Sequence, residues 1–286
     1  MESTFKGYSL RLRIMHDTKT KILVGIVAYQ NTNKELERSL DAILKQELPN
    51  KTTLVIHVLP NCSTNYSSIS KAYSEILLYK SQGNIGFGAA HNCLMASYEQ
   101  WTHYIALNPD GILHPDAIRQ MLCLDDGTSL IEARQIPLEH PKYYNPSTYE
   151  VEWCSGACLM LRHDIYKETG GFDEDFFMYC EDVDLSWRWR TAGGKCKIAT
   201  KALFAHDVES NNSRPSLTER LYSSALILAH KWDNAQARQK YESRLKKLTD
   251  ISCYNSHVKN LTKIPKNKAS TVPRFENAFY FGDGRW

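Results

Sequence analysis

Residues Lys21 to Tyr29 read KILVGIVAY, an almost unbroken apolar run, and this run restricts the fold more than any other stretch. A strand with one wet face alternates apolar and polar residues. A continuous apolar strand must be covered on both faces, as in a parallel sheet flanked by helices. After it come a polar loop (Gln30 to Asn33) and a helical spacing of Leu36, Leu40, Ile43 and Leu44, closed by Pro49-Asn50. Thr52 to Leu59, Ile76 to Tyr79 and Tyr104 to Leu107 read as three further strands. Strands and helices alternating in this way predict an open α/β sheet, with ligands at the carboxyl ends of its strands.

His114 to Leu124 reads as a helix, and Gly127 to Tyr149 as an irregular, proline-containing segment that shapes a second pocket. Past a linker at Asn211 to Pro215, capped by Ser216 or Thr218, one long helix is predicted to about Leu248. Its apolar positions are Leu221, Ala225, Leu228 and Trp232. Residues up to about Thr20 read as a loose leader, and the final stretch as weakly ordered except for its aromatic end, Phe275 to Trp286. The expected division is a catalytic domain over residues 1–210 and a basic helical extension over 211–286.

Composition narrows the class. With 42% apolar and 23% charged residues the chain can build an ordinary buried core. A net charge of +3 is too small to argue for nucleic acid, and no nucleic-acid motif accompanies the lysine-rich tail. The charge is uneven: from Arg214 onward the excess is roughly +8. That basic stretch reads as a helix face packed on its own domain, or as a peripheral membrane contact. The eight cysteines include no CxxC pair and no zinc-finger spacing, so they read as reduced thiols in a cytoplasmic setting. No apolar run is long enough to span a bilayer, and the amino-terminal residues lack a signal-peptide core.

Four segments carry candidate chemistry. Asn84-Ile85-Gly86-Phe87-Gly88-Ala89-Ala90-His91-Asn92 can cradle an anion at a helix start, or simply connect a strand tightly to a helix. Asn108-Pro109-Asp110 stands at a strand end; it offers a carboxylate for a hard cation, or closes the strand as an Asx-Pro turn. Glu181, Asp182 and Asp184 open an amphipathic helical run, where acidic residues also complement a helix dipole. His206 ends a strand-like segment and, alone, reads as a packed histidine as readily as a ligand.

Taken in order, IVAYQN, NIGFGAAHN, NPD, WCSGACLMLR, GGFDEDFFMYCEDVDLSWRWRTAGGK and the closing A-x-x-x-H resemble glycosyltransferase family 2, and most closely its rhamnosyltransferase-like members. The resemblance covers roughly Lys21 to His206. It implies the GT-A fold: a single Rossmann-like mixed sheet flanked by helices, followed by a C-terminal helical extension. It also implies inverting transfer of a sugar, such as rhamnose, from a nucleoside diphosphate to a hydroxyl of a saccharide acceptor.

Carried over residue by residue, Asp182 matches the general base, with Glu181 beside it. Asn108 and Asp110 match the diphosphate and metal motif, and His206 a further ligand to Mg2+ or Mn2+. Tyr29, Asn31 and Asn61 fall in the nucleotide-base pocket, and Asn84, Gly86 and Asn92 in the donor-contacting turn. Trp153 and Gly156 fall in the loop facing the sugars. The chain has Pro60-Asn61-Cys62-Ser63 where the family commonly shows Asp-Asn-x-Ser, and Asn108 where it shows Asp. Thymidine- and uridine-diphosphate donors therefore both stay open. A lipid-linked saccharide is the expected acceptor, used in surface polysaccharide synthesis at the cytoplasmic face of a membrane. The competing classes are a sugar nucleotidyltransferase and a non-catalytic nucleotide-sugar binder. Against the first, the loop after the opening strand contains no glycine.

Overall fold

The computed structural model describes residues 19–140, 142–206 and 215–267. The predicted leader before Lys19, most of the linker at 211–214 and the aromatic end at 268–286 lie outside the described residues.

The opening apolar run is β1 (Thr20–Ala28), hydrogen-bonded in parallel to β2 (Thr52–Pro60) on one side and to β4 (His103–Leu107) on the other. β3 (Ile76–Leu78) adds in parallel to β2. As its composition requires, β1 is buried on both faces. Ile22, Val24 and Ile26 pack with Leu36 and Leu40 of α1 (Asn33–Leu44) and Ile118 of α4 (Ala117–Cys123). Leu23 and Val27 pack on the opposite face with Leu94 of α3 (Phe87–Ala96), Ile165 of α5 (His163–Thr169) and Leu185 of α6 (Glu181–Thr191). A capping box at Thr32 and Glu35 starts α1. The short α2 (Ser67–Ala72) closes the first face with Ile69.

Among the described residues the sheet has eight strands in the order β3-β2-β1-β4-β7-β6-β8-β5, the others being β5 (Gly111–Leu113), β6 (Ser129–Ile136), β7 (Cys158–Arg162) and β8 (Lys195–His206). β7 runs antiparallel to both β4 and β6, while β8 runs parallel to β6. This mixture decides where the site lies. The carboxyl ends of β1, β2, β4, β6 and β8 and the amino end of β7 all meet along one edge. β5, leaving that edge, returns antiparallel to β8 with Gly111 opposite His206. A side chain at Gly111 would strike the Phe204 ring, 2.0 Å from an added Cβ, so the close seating of β5 on β8 needs glycine.

Two sequence expectations are corrected. Residues 127–149 are not irregular throughout, since they contain β6, a buried interior strand. Its pattern SLIEARQI mixes buried polar residues with apolar ones and so hides the strand signal. The long helix is two, α7 (Pro215–Lys231) and α8 (Ala235–Leu248), followed by α9 (Ile251–Leu261). Asp233 takes a left-handed φ of 52°, and the Asn234 side chain accepts from Ala237 N to start α8, so the chain turns there.

These three helices back α6. Trp187 of α6 meets Trp232 edge to face at 5.5 Å within a cluster that includes Val183, Ala225, Leu228, Tyr241 and Leu245. At its centre the fully buried Asp184 accepts from Arg188 Nε (2.6 Å), Trp232 Nε1 (2.9 Å) and Asn267 Nδ2 (3.1 Å). Lys231 is buried with its ammonium on Asp173 (2.7 Å) and Asp175 (2.5 Å) of the acidic loop before α6. Among the described residues no helix is long and apolar enough to cross a membrane.

Asp184→Ala leaves the Arg188 Nε–H and the Trp232 indole without their acceptor. It is expected to cost about 3–5 kcal/mol in urea unfolding, whereas Lys240→Ala, on an exposed stretch of α8, stays within about 0.5 kcal/mol.

Candidate active site

The edge described above gathers the sequence-predicted residues into three neighbouring groups. The first lies past β1 and β2. Asn31 Oδ1 accepts from Tyr29 N (3.0 Å), and its carbonyl accepts from Tyr66 Oη (2.9 Å). Tyr29 keeps an exposed ring. Asn61 is buried and fully engaged: Nδ2 donates to Asn84 Oδ1 (3.0 Å) and to the Gly86 carbonyl (3.1 Å), while Oδ1 accepts from Ile85 N (3.0 Å). Asn61 thus shapes the glycine-rich turn. Gly86, at φ 92°, brings that turn under Phe177, whose carbonyl accepts from Phe87 N (3.0 Å). A Cβ there would lie 2.5 Å from that carbonyl oxygen.

The second group is the corner made by β4, β5 and β8. His206 Nε2 lies 3.1 Å from Asp110 Oδ1 and 3.2 Å from Asn108 Nδ2. His206 Nδ1 lies 3.0 Å from Gln135 Oε1 on β6. A donor bond from Nδ1 to that amide oxygen turns the Nε2 lone pair toward Asp110. A carboxylate oxygen and an imidazole nitrogen about 3 Å apart match neighbouring ligands on one divalent ion bound at ~2.1 Å. The Asp110–His206 pair therefore fits Mg2+ or Mn2+, with the Asn108 amide nitrogen beside it. Asn108, an amide, adds no negative charge to it.

The third group surrounds the start of α6. Asp182 Oδ2 accepts from Gly156 N (2.8 Å) and Oδ1 from Val183 N (2.8 Å). Ala157, one residue on, accepts from Asn108 N through its carbonyl (2.9 Å). Two consecutive loop residues therefore join the Asp182 carboxylate to the Asn108–Asp110 corner. Tyr179 and Cys180, both at φ 70°, lead into the helix in a left-handed conformation that non-glycine residues rarely adopt, a strain found where function demands a fixed direction.

Burial raises the Asp182 pKa, and the Gly156 and Val183 amides oppose it without cancelling it. Desolvation outweighs both amides. For Glu181, burial and then the Asp182 charge push its carboxyl well above the usual range. Glu181 faces inward, and its Oε2 has no hydrogen-bond partner among the described residues. Asp184, by contrast, points away into the C-terminal helices.

Asn92, on α3, bonds to the acidic loop. Its amide exchanges hydrogen bonds with the Phe172 backbone (2.8 and 2.9 Å) and reaches Glu174 (3.0 Å), clamping α3 to the acidic loop.

Sequence reasoning missed four residues under the Trp153–Gly156 loop. Glu132 on β6 and Lys142 form a buried ion pair (2.6 Å), and Glu132 also accepts from Ser155 N. Lys142 donates to the Trp153 carbonyl (2.8 Å) and sits 3.9 Å over the indole. Burial raises the Glu132 pKa although the Lys142 charge opposes it. His140 Nε2 lies 3.1 Å from Ser155 Oγ, and burial, then Lys142 and His206, lower its pKa to about 3. With Gln135 these side chains form a polar floor between the two corners. Their only sequence signal was the charge inside the SLIEARQI strand.

The eight-stranded mixed sheet with its site along this edge is the GT-A fold of nucleotide-sugar glycosyltransferases. The protein of known structure GalNAc-T7, solved with UDP, GalNAc and Mn2+, superposes with a TM-score of 0.69 at 12% identity, over 88% of this chain and 56% of that one. No family model matches the sequence.

By sequence the chain is rhamnosyltransferase-like. It is 26% identical over 224 residues to N-acetylglucosaminyl-diphospho-decaprenol L-rhamnosyltransferase of Mycobacterium tuberculosis, covering 61% of this chain and 72% of the relative. It is 33% identical over 84 residues to rhamnosyltransferase WbbL of Escherichia coli, covering 28% of this chain and 31% of that one.

Folding raises the Glu181 pKa, so its contribution to stability is full below about pH 4 and is lost as pH climbs through the raised value. Glu181→Gln removes that loss. In urea unfolding the variant is expected to be more stable than the parent at pH 8, with the gap closing near pH 4. An unchanged difference between the two pH values contradicts the assignment.

Proposed function

We propose that this chain is an inverting glycosyltransferase that moves a sugar, rhamnose in the first instance, from a thymidine- or uridine-diphosphate donor to a hydroxyl of a saccharide acceptor. The observation that carries the reading is the two-residue bridge. Gly156 N–H holds Asp182 while the Ala157 carbonyl holds Asn108, so a base and a diphosphate-binding corner flank one loop. The M. tuberculosis relative acts on a lipid-linked N-acetylglucosamine, which supports an acceptor of the same kind for this chain in surface polysaccharide synthesis. The exposed Lys246, Lys247, Leu248 and Ile251 at the α8–α9 turn suit a contact with the cytoplasmic face of a membrane.

In this mechanism Tyr29 and Asn31 border the nucleotide, and the turn at Asn84–Gly86 borders the donor. Asp110 and His206, beside Asn108, would hold a divalent ion, which when bound supplies charge stabilisation to the departing diphosphate. The acceptor hydroxyl approaches the anomeric carbon from the face opposite the diphosphate, and its proton passes to Asp182 as the new bond forms. The raised pKa of Asp182 makes it a better base than an ordinary carboxylate, and its two backbone donors fix the direction of its oxygens. Trp153, braced by Lys142, walls the acceptor side.

Purified protein assayed with thymidine- and uridine-diphosphate sugars and an N-acetylglucosaminyl-pyrophosphoryl lipid should form a glycosylated product, and EDTA should stop it. Asp182→Asn is expected to lower kcat by at least ~100-fold with donor affinity unchanged, and Asp110→Ala to weaken donor binding. Wild-type turnover in Asp182→Asn rejects the base. Nucleotide-sugar binding with no transfer to any acceptor favours a non-catalytic binder.

A further inference from the structure

The C-terminal helices carry chemistry that glycosyl transfer does not use. Glu219 and Ser223 lie one turn apart on α7, and Cys253 and His257 one turn apart on α9, so each pair shares a helix face. The two faces meet. Cys253 Sγ is 3.3 Å from Glu219 Oε1 and 3.6 Å from His257 Nε2, and His257 Nε2 is 3.3 Å from Glu219 Oε1.

These separations are those of three ligands on one small ion. Tetrahedral zinc, with bonds of ~2.0 Å to nitrogen and oxygen and ~2.3 Å to sulfur, sets its nitrogen and oxygen ligands about 3.3 Å apart and places sulfur about 3.5 Å from either. Ser223 Oγ lies 2.9 Å from His257 Nδ1. A donor bond from Nδ1 to this hydroxyl turns the Nε2 lone pair into the triangle, the outer support that metal-binding histidines commonly have. All three ligands are partly exposed, which leaves a fourth position to water.

We propose that Glu219, Cys253 and His257 form a zinc site, separate from the Asp110–His206 corner. Thiolate and imidazole favour zinc over magnesium or manganese, the reverse of the oxygen-rich corner. On binding, the Cys253 thiol gives its proton to solvent and the sulfur–metal bond replaces the S–H bond. The ion clips α7 to α9. α7 in turn holds the backbone before the catalytic helix, through Ser224 Oγ donating to the Met178 carbonyl (2.6 Å) and through Lys231 on Asp173 and Asp175. The site thus stiffens the support of α6 and takes no part in the chemical step. Pairwise cysteine spacing could not show it, because Glu219 stands 34 residues before Cys253.

The test uses the full chain, stripped of metal and titrated with Co(II) in excess Mg(II), then with Zn(II). One equivalent of Co(II) should give a thiolate charge-transfer band and the visible bands of a tetrahedral ion, both displaced by Zn(II). Cys253→Ser should abolish the charge-transfer band, and Asp110→Ala should leave it intact. Ser223→Ala should weaken Zn(II) binding ~10- to 100-fold, and His257→Gln more. Zn(II) should also slow alkylation of Cys253 in the unmutated chain, read by peptide mass spectrometry. Absence of the band in the parent protein, its survival in Cys253→Ser, or alkylation of Cys253 indifferent to Zn(II) overturns the proposal.

Discussion

The hydrogen bond from Gly156 N–H to Asp182 Oδ2 is short, backbone-derived and set by strand direction, and the geometry of the site depends on it. β7 runs opposite to β4, so the loop entering β7 must sit at the end where β4 leaves. That places Gly156 against the first turn of α6 and Ala157 against Asn108 within the same few ångströms of chain. A Cβ at Gly156 would meet the Phe87 ring at 3.1 Å and the Asp182 Cβ at 3.5 Å, so a larger residue there crowds both. The carboxylate is thereby desolvated yet held by two amides, a compromise that raises its proton affinity without leaving it unbonded.

The support comes from behind. Polar residues in the first turn of α6 are divided by helical geometry: Asp182 faces the Gly156 loop, while Asp184, two residues on, faces the C-terminal helices. Arg188, one turn below Asp184, extends this anchor to the carbonyls of Thr169 and Gly171 (2.6 and 2.8 Å). The acidic loop, α6 and α7 are thus tied through a small number of buried charges. Such charges cost desolvation and return definition of position. On the opposite side, Glu132 and Lys142 pin the Trp153–Ser155 backbone, so the loop carrying Gly156 is held from both faces.

Much of this was legible in the amino-acid order, for identifiable reasons. β1 announced itself because burial on both faces leaves no polar position, and the turns at Asn61 and Asn108 announced the carboxyl edge because each directly follows an apolar strand. The ordered motifs carried the rest of the site by resemblance. β6 was not legible, because its buried Glu132 and Gln135 are satisfied by Lys142, Ser155 and His206, partners outside the strand that single-strand periodicity cannot see. The break between α7 and α8 turns on Asp233 in a left-handed conformation, a local event that helical spacing passes over. Asp184 neighbours Asp182 in sequence, and side-chain direction separates the two: one bonds the Gly156 loop and the other Trp232 and Arg188.

The central claim, that a desolvated Asp182 takes the acceptor proton beside the Asn108–Asp110 corner, is tested most directly by the pH dependence of kcat/KM for transfer. The account predicts an acid limb in which the rate falls as pH drops through an apparent pKa above the ordinary carboxylate range, and loss of that limb from the residual activity of Asp182→Asn. A limb at the ordinary carboxylate value, or one that persists unchanged in the variant, would place the base elsewhere.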